Sequence, residues 1–156
     1  MSSGTREAEP APEDRQSVMA LCAEALAEEL HDALRAVGYR GPVRDLRRPE
    51  TGLVMVRGRA GGDGRRFNLG EATVTRAAVT LEEVGTGFAY HLGRDAARAR
   101  LAATLDALWQ SPQHQAAVVS ALAPVRRRLS EERARAARQA AATRVDFFTM
   151  VRGEDA

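Results

Sequence analysis

The strongest constraint on this fold is a double switch of hydrophobic period. From Asp14 to Val37 the apolar positions Val18, Leu21, Cys22, Ala25, Leu26, Leu30, Ala33, Leu34 and Val37 recur at three- and four-residue steps, with Glu24, Glu28, Glu29 and Asp32 between them. That spacing predicts one amphipathic helix, stopped by Gly38. Residues 43–92 change character, because LVMVRGRA, ATVTRAAVTL and FAYHL are rich in β-branched and aromatic residues and are separated by the turn-forming GGDG and GTG. An antiparallel meander of three or four strands is expected there.

The helical period returns after Gly93-Arg94-Asp95. Asp95 suits an N-cap, and Leu101, Leu105 and Leu108 share one face of a helix running to about Gln110. Ser111-Pro112 reads as a further start, with Ser at N-cap and Pro at N1. Pro124 divides the remaining helical stretch into a short helix and a longer one ending near Thr143. The final RVDFFTMVRG is strand-like again. Helix, strands, helices and a terminal strand-like segment imply an α+β fold, with helices covering one face of an antiparallel sheet of three to five strands.

With 156 residues the chain can bury one core, so residues 14–156 are expected to form a single domain. Residues 1–13, acidic and proline-containing with little apolar beyond alanine, are expected to be a disordered tail. No apolar run approaches the ~20 residues of a membrane span, and the N-terminus has no basic-then-apolar leader, so a cytoplasmic protein without a membrane partner is expected. Cys22 is the single cysteine, and His31, His91 and His114 share no metal-ligand spacing. Neither a disulfide framework nor a metal site is therefore expected. All 23 basic residues are arginine, set against 21 carboxylates, so every cation is permanent and able to grip an oxyanion bidentately, and a lysine Schiff base is excluded.

Four constellations carry possible chemistry. Gly52 to Phe67 runs from a strand into a glycine-rich turn with Arg57, Arg59, Arg65 and Arg66 close by, which suits phosphate oxygens or a plain hairpin with solvated arginines. It lacks the order of a nucleotide P-loop. In the stretch from Asn68 to Arg76, strand alternation puts Glu71, Thr73 and Thr75 on one face and Ala72, Val74 and Arg76 on the other. Arg76 then sits among apolar neighbours, either in a structural ion pair or reaching an anionic group of a ligand or another subunit. Glu71 is a solvated carboxylate or one turned into a cleft, while Thr73 and Thr75 read as ordinary strand residues. Gly93-Arg94-Asp95 offers an anion a helix N-terminus beside Arg94, or simply a cap. The terminal Arg144 to Glu154, with adjacent Phe147 and Phe148, suggests a segment tied into a sheet or docked on a partner.

Seven arginines from Arg126 to Arg144 face only Glu131 and Glu132, a local balance of +5. No aromatic stacking set or nucleic-acid motif accompanies this stripe, so a solvated helix or an acidic protein partner is expected rather than nucleic acid.

ETGLVMVRGRAGGDGRRFNLGEATVTRA, LGRD, DALWQ, APV and the terminal RVDFFTMVRGE resemble the PhnG family, the G subunit of the bacterial carbon-phosphorus lyase core complex, nearly collinearly from Arg15 to Glu154. The resemblance implies a required subunit, inactive alone, of a cytoplasmic transferase containing subunits H, I and J, with the ATP-binding L subunit assisting and subunit I the most direct contact. That assembly transfers methylphosphonate onto the ribose C1 of ATP and releases adenine, giving α-D-ribose 1-methylphosphonate 5-triphosphate. ATP is its substrate, and no cofactor of this chain is implied. Displacing adenine calls for cationic donors and a carboxylate. Arg59, Arg76, Arg94 and Arg144 fall in the family motifs and suit phosphate or subunit contact; Glu71 and Asp146 suit the catalytic carboxylate. The alternative is a structural clamp that touches no substrate.

Overall fold

The computed structural model describes residues 14–61 and 63–143. Within them the order is α1 (Arg15–Glu24), α2 (Ala27–Val37), β1 (Val43–Arg59), β2 (Arg66–Leu81), β3 (Gly85–Leu92), α3 (Ala96–Trp109), α4 (Gln115–Ala121) and α5 (Ala123–Ala142). The expected acidic tail and the expected terminal strand-like segment, with Arg144 and Asp146, lie outside the described residues.

The three strands form an antiparallel sheet in the order β1-β2-β3. Register pairs Thr75 with both Thr51 and His91, and Arg76 with both Glu50 and Tyr90. Alternation therefore puts Thr75, Ala77, Val79 and Leu81 on the face that the helices cover, where all four are buried. The core between the layers is made from them and from Leu30, Leu105, Leu108 and Leu122, each about 1.5–3 kcal/mol when fully buried. The α+β reading of the sequence holds, with three strands and helices on one face.

α3 lies closest to the sheet, and small residues let it. Ala99, Ala102, Ala103 and Ala107 are all buried. Opposite them, Gly87 of β3 sits so near the helix that a Cβ built there would meet Ala103 O at 2.0 Å and Ala107 N at 2.5 Å. Within α3 the carboxylate of Asp106 is also buried. It accepts from Arg15 Nε (2.9 Å) and Nη2 (2.8 Å) on α1 and from the Phe88 backbone N–H (2.8 Å) on β3.

Three sequence expectations change. The helix expected from Asp14 to Val37 is two helices, because Ala25 and Leu26 are extended, with ψ of 150° and 155°. Glu29 reaches back to the Leu26 N–H (2.8 Å) and starts α2 there. β1 begins at Val43, earlier than its apolar run. The helix expected at Ser111-Pro112 starts at Gln115, after a turn in which Ser111 O accepts from the N–H groups of His114 and Gln115. Asp95 does cap α3, accepting from Arg98 N at 2.9 Å, and Pro124 does fall in the first turn of α5, which is capped by Thr143. No helix among the described residues is long and apolar enough to cross a membrane.

His91 sits on the buried face with neither ring nitrogen hydrogen-bonded. Burial chiefly, and then the charge of Arg98, hold its pKa below the usual histidine value, against a smaller opposing pull from Asp95.

This packing has two measurable consequences. Gly87→Ala forces α3 off the sheet and lowers stability by about 3 kcal/mol, or roughly 10 °C in Tm, in a thermal melt; a Tm within about 2 °C of wild type means that the helix has room to give. His91 binds its proton less readily folded than unfolded, so it removes stability as pH falls below about 6.5, with a slope of at most ~1.4 kcal/mol per pH unit. Urea midpoints at pH 7.5 and 5.5 should separate more for wild type than for His91→Leu, and equal separations would refute this role.

Candidate functional site

The sheet changes from covered to uncovered at Gly52. Inward of it β2 is buried from Thr75 to Leu81 apart from Arg76 and the half-buried Thr80, whereas outward both strands stand in solvent. Gly52 faces Val74 in the register and has no side chain to fill the space beside it. Two clefts open here, one on each face of the sheet.

The cleft on the open face has a volume of about 350 Å³ and is lined by Glu50, Thr51, Gly52, Val74, Arg76 and Tyr90 among others. Arg76 pairs with Glu50, its Nε donating to Oε1 at 2.5 Å, and Arg47 Nη1 donates to the same oxygen at 3.0 Å. Two guanidinium groups thus share one carboxylate, a local charge of +1. The hydrogen bonds from Arg47 and Arg76 hold the Glu50 carboxyl below its usual range, and Glu50 with a smaller contribution from Tyr90 raises Arg76. Arg76 is thus held in an ion pair at the wall of the cleft. An incoming oxyanion would meet a fixed fork of donors with one net positive charge.

The cleft on the helix-bearing face, about 370 Å³, is lined by Thr51, Gly52, Leu53, Thr73 and Arg94. Arg94 gets there because β3 is followed by Gly93, whose φ of 96° turns the chain and whose N–H donates to Thr73 O at 2.9 Å. Thr75 fixes the same corner, its hydroxyl donating to Gly93 O at 2.6 Å and lying 3.0 Å from the Thr51 hydroxyl. Far from being an ordinary strand residue, Thr75 is fully buried and sets the position of Arg94. Glu71 shares this face two residues beyond Thr73, about 7 Å along the strand. It is exposed.

The site residues read from the sequence are therefore not gathered in one place. Arg76 and Arg94 line clefts on opposite faces, and Arg59 stands at the far end of the β1–β2 hairpin, about 20 Å along the strand from Leu53. Arg144 and Asp146 lie outside the described residues. The sequence reading missed Glu50 and Tyr90, which line the Arg76 cleft, and Arg47, which shares Glu50 with Arg76. The pairing that joins them spans 26 residues and depends on a register broken by two irregularities in β1. Among the described residues, no group of three or more His, Cys, Asp or Glu could hold a metal ion.

The basic stripe on α5 is partly neutralised from within. Arg128 donates to both carboxylate oxygens of Glu29 (2.7 and 2.8 Å) and to Glu132 (2.9 Å), and Arg133 to Glu24 (2.9 Å). Arg128 holds the Glu29 carboxyl below its usual range, and the stripe acts first as a clasp between α5 and the α1–α2 corner.

Comparison with known proteins places this geometry in a family. The model of the phosphonate metabolism protein PhnG matches residues 13–153. A curated relative from Rhizobium meliloti (strain 1021), the alpha-D-ribose 1-methylphosphonate 5-triphosphate synthase subunit PhnG, is 54% identical over 141 residues, which cover 90% of each chain. With a match that runs through all five helices and the whole sheet, the chain belongs to the PhnG family of phosphonate metabolism proteins.

Proposed function

We propose that this chain is a required subunit of an α-D-ribose 1-methylphosphonate 5-triphosphate synthase. The observation that carries the reading is the 54% identity, over 90% of both chains, to a subunit of that enzyme. In the proposed reaction an oxygen of methylphosphonate bonds to the ribose C1 of ATP as the C1–N9 bond breaks. Adenine leaves with the N9 electron pair and takes up a proton. The chain works in the cytoplasm with subunits H, I and J of the carbon-phosphorus lyase, with the L subunit assisting; ATP enters as a substrate of the assembly, and this subunit needs no cofactor of its own.

The contribution proposed for this chain is a set of charges delivered to a site that another subunit, I in the first place, completes. Arg76 and Arg94 offset repulsion between triphosphate and phosphonate, and Glu71 or Asp146 stabilises the oxocarbenium-like state. Arg59 and Arg144 serve phosphate or subunit contact. One observation favours a second reading, a clamp that touches no substrate: Arg59, Arg76 and Arg94 do not converge within the chain.

Co-expression of the tagged chain with subunits H, I, J and L tests both. A complex containing the chain should form, and leaving the chain out should abolish adenine release from ATP and methylphosphonate. In that complex Arg76→Ala and Glu71→Ala should preserve assembly and lower adenine release at least about 100-fold. Rates within about twofold of wild type in an intact complex would establish the clamp instead. Removing residues 144–156 should break assembly under either reading.

A further inference from the structure

Beyond the Leu53–Thr73 pair, β1 and β2 run on as a two-stranded ribbon that no helix among the described residues covers on either face. It is about 20 Å long to the Arg59–Arg66 pair. A lone two-stranded hairpin is marginal in water, and this one exposes apolar side chains on both faces. Leu53 (60% exposed) and Met55 (51%) stand on the helix-bearing face, Val54 (43%) and Val56 (37%) on the open face. Nearer the turn, Leu69 is 67% and Phe67 46% exposed. A partner lying flat on the sheet would cover one face and leave the other wet. Apolar residues on both faces call for a surface that encloses the ribbon.

The charge at the tip is equally unbalanced. Arg59 and Arg66 face each other in the register, with Arg57 and Arg65 beside them. None of the four makes an ion pair among the described residues, whereas Arg15, Arg76, Arg100 and Arg128 each hold a carboxylate. Like charges directly opposite on a ladder are destabilising, and Asp63 in the turn is the one carboxylate of the tip among the described residues, so the four arginines call for further counter-charges.

We propose that the ribbon is an insertion arm that lodges in an apolar groove of another protein chain, with carboxylates at the closed end of the groove receiving Arg59 and Arg66. This rests on the subunit reading and names the surface through which the chain joins its assembly. Complementarity selects a protein over a polyanion: nucleic acid or free polyphosphate would satisfy the arginines and leave Leu53, Val56 and Leu69 in water.

Two variants test the arm in the co-expressed assembly. In one, Asn-Gly replaces residues 55–71 and joins Val54 to Ala72, which already face each other. In the other, Arg59→Glu and Arg66→Glu are combined. Both alter residues outside the core, so the isolated chains should melt within about 2 °C of wild type, while recovery of the other subunits on the tagged chain falls at least tenfold. Recovery of the charge-reversed chain should fall further in 50 mM than in 500 mM salt relative to wild type, because the new repulsion is screened. If the shortened chain recovers its partners at the wild-type level, the arm is refuted while membership of the complex stands. If wild type recovers no partner, the subunit reading fails and this inference with it. Retention of duplex DNA by wild type that Arg59→Glu with Arg66→Glu abolishes would replace the protein groove with a nucleic acid and overturn the proposal.

Discussion

Everything in this fold is hung from one buried carboxylate. Asp106, nearly inaccessible in the last turn of α3, holds the Arg15 guanidinium of α1 through two oxygens and takes the Phe88 N–H of β3 as well. The carboxylate is buried but the Arg15 side chain is 40% exposed, so the desolvation of Asp106 offsets much of the attraction and the net gain from the pair is modest. Its value here is directional. The Phe88 N–H belongs to the outer edge of β3, where a free donor would invite another strand. By binding that donor and anchoring α1 beside it, Asp106 closes one edge of the sheet and fixes where the first helix must lie.

The opposite edge receives different treatment. β1 is 17 residues long and only its start is tied to a helix, by Arg100, which donates to Val43 O at 2.8 Å and to Asp45 at 2.7 Å. Past that tie the strand is kept irregular rather than covered. Register shifts fall between Asp45 and Arg47 and between Arg47 and Glu50, with Pro49 inside the second. A proline in such a bulge costs no ladder hydrogen bond and discourages pairing at that edge. From Glu50 to Val56 the ladder runs regularly, before a third shift between Val56 and Arg57, and that stretch carries the run of exposed apolar side chains Leu53 to Val56. The protected and unprotected parts of the sheet are thus separated along β1 itself.

The large features of this arrangement were legible because they depend on local chemistry. Gly38 ends α2 with φ of 75°, Asp95 caps α3, and the alternation around Arg76 assigned its face correctly. The features that could not be read depend on partners far away in the chain. The break at Ala25–Leu26 carries neither glycine nor proline, and the apolar period runs through it undisturbed because α1 and α2 bury the same side of the pattern. It is held by Glu29, whose carboxylate also binds Arg128, 99 residues on. Nothing beside Asp106 in the sequence signals its burial, since its partner Arg15 is 91 positions away. Gly87 sat in a turn-like GTG, and nothing local told that its missing side chain is the space α3 occupies.

The same distinction explains why candidate site residues can be named by type but not assembled from the sequence. An arginine in a family motif can be named from the sequence, but whether it is free depends on the register that brings it a carboxylate. Arg76 is engaged, because β1 places Glu50 opposite it; Arg59 is not, because β2 places Arg66 opposite it. These two pairings, on one ladder and nine residues apart along β1, give the arm a root whose arginines share a carboxylate and a more strongly cationic tip. A binding surface needs that gradient if its charge is to meet its partner at the tip. Along the stem between them contact is left to Leu53, Met55 and Val56, for which enclosure from both sides is the only means of removing their surface from water.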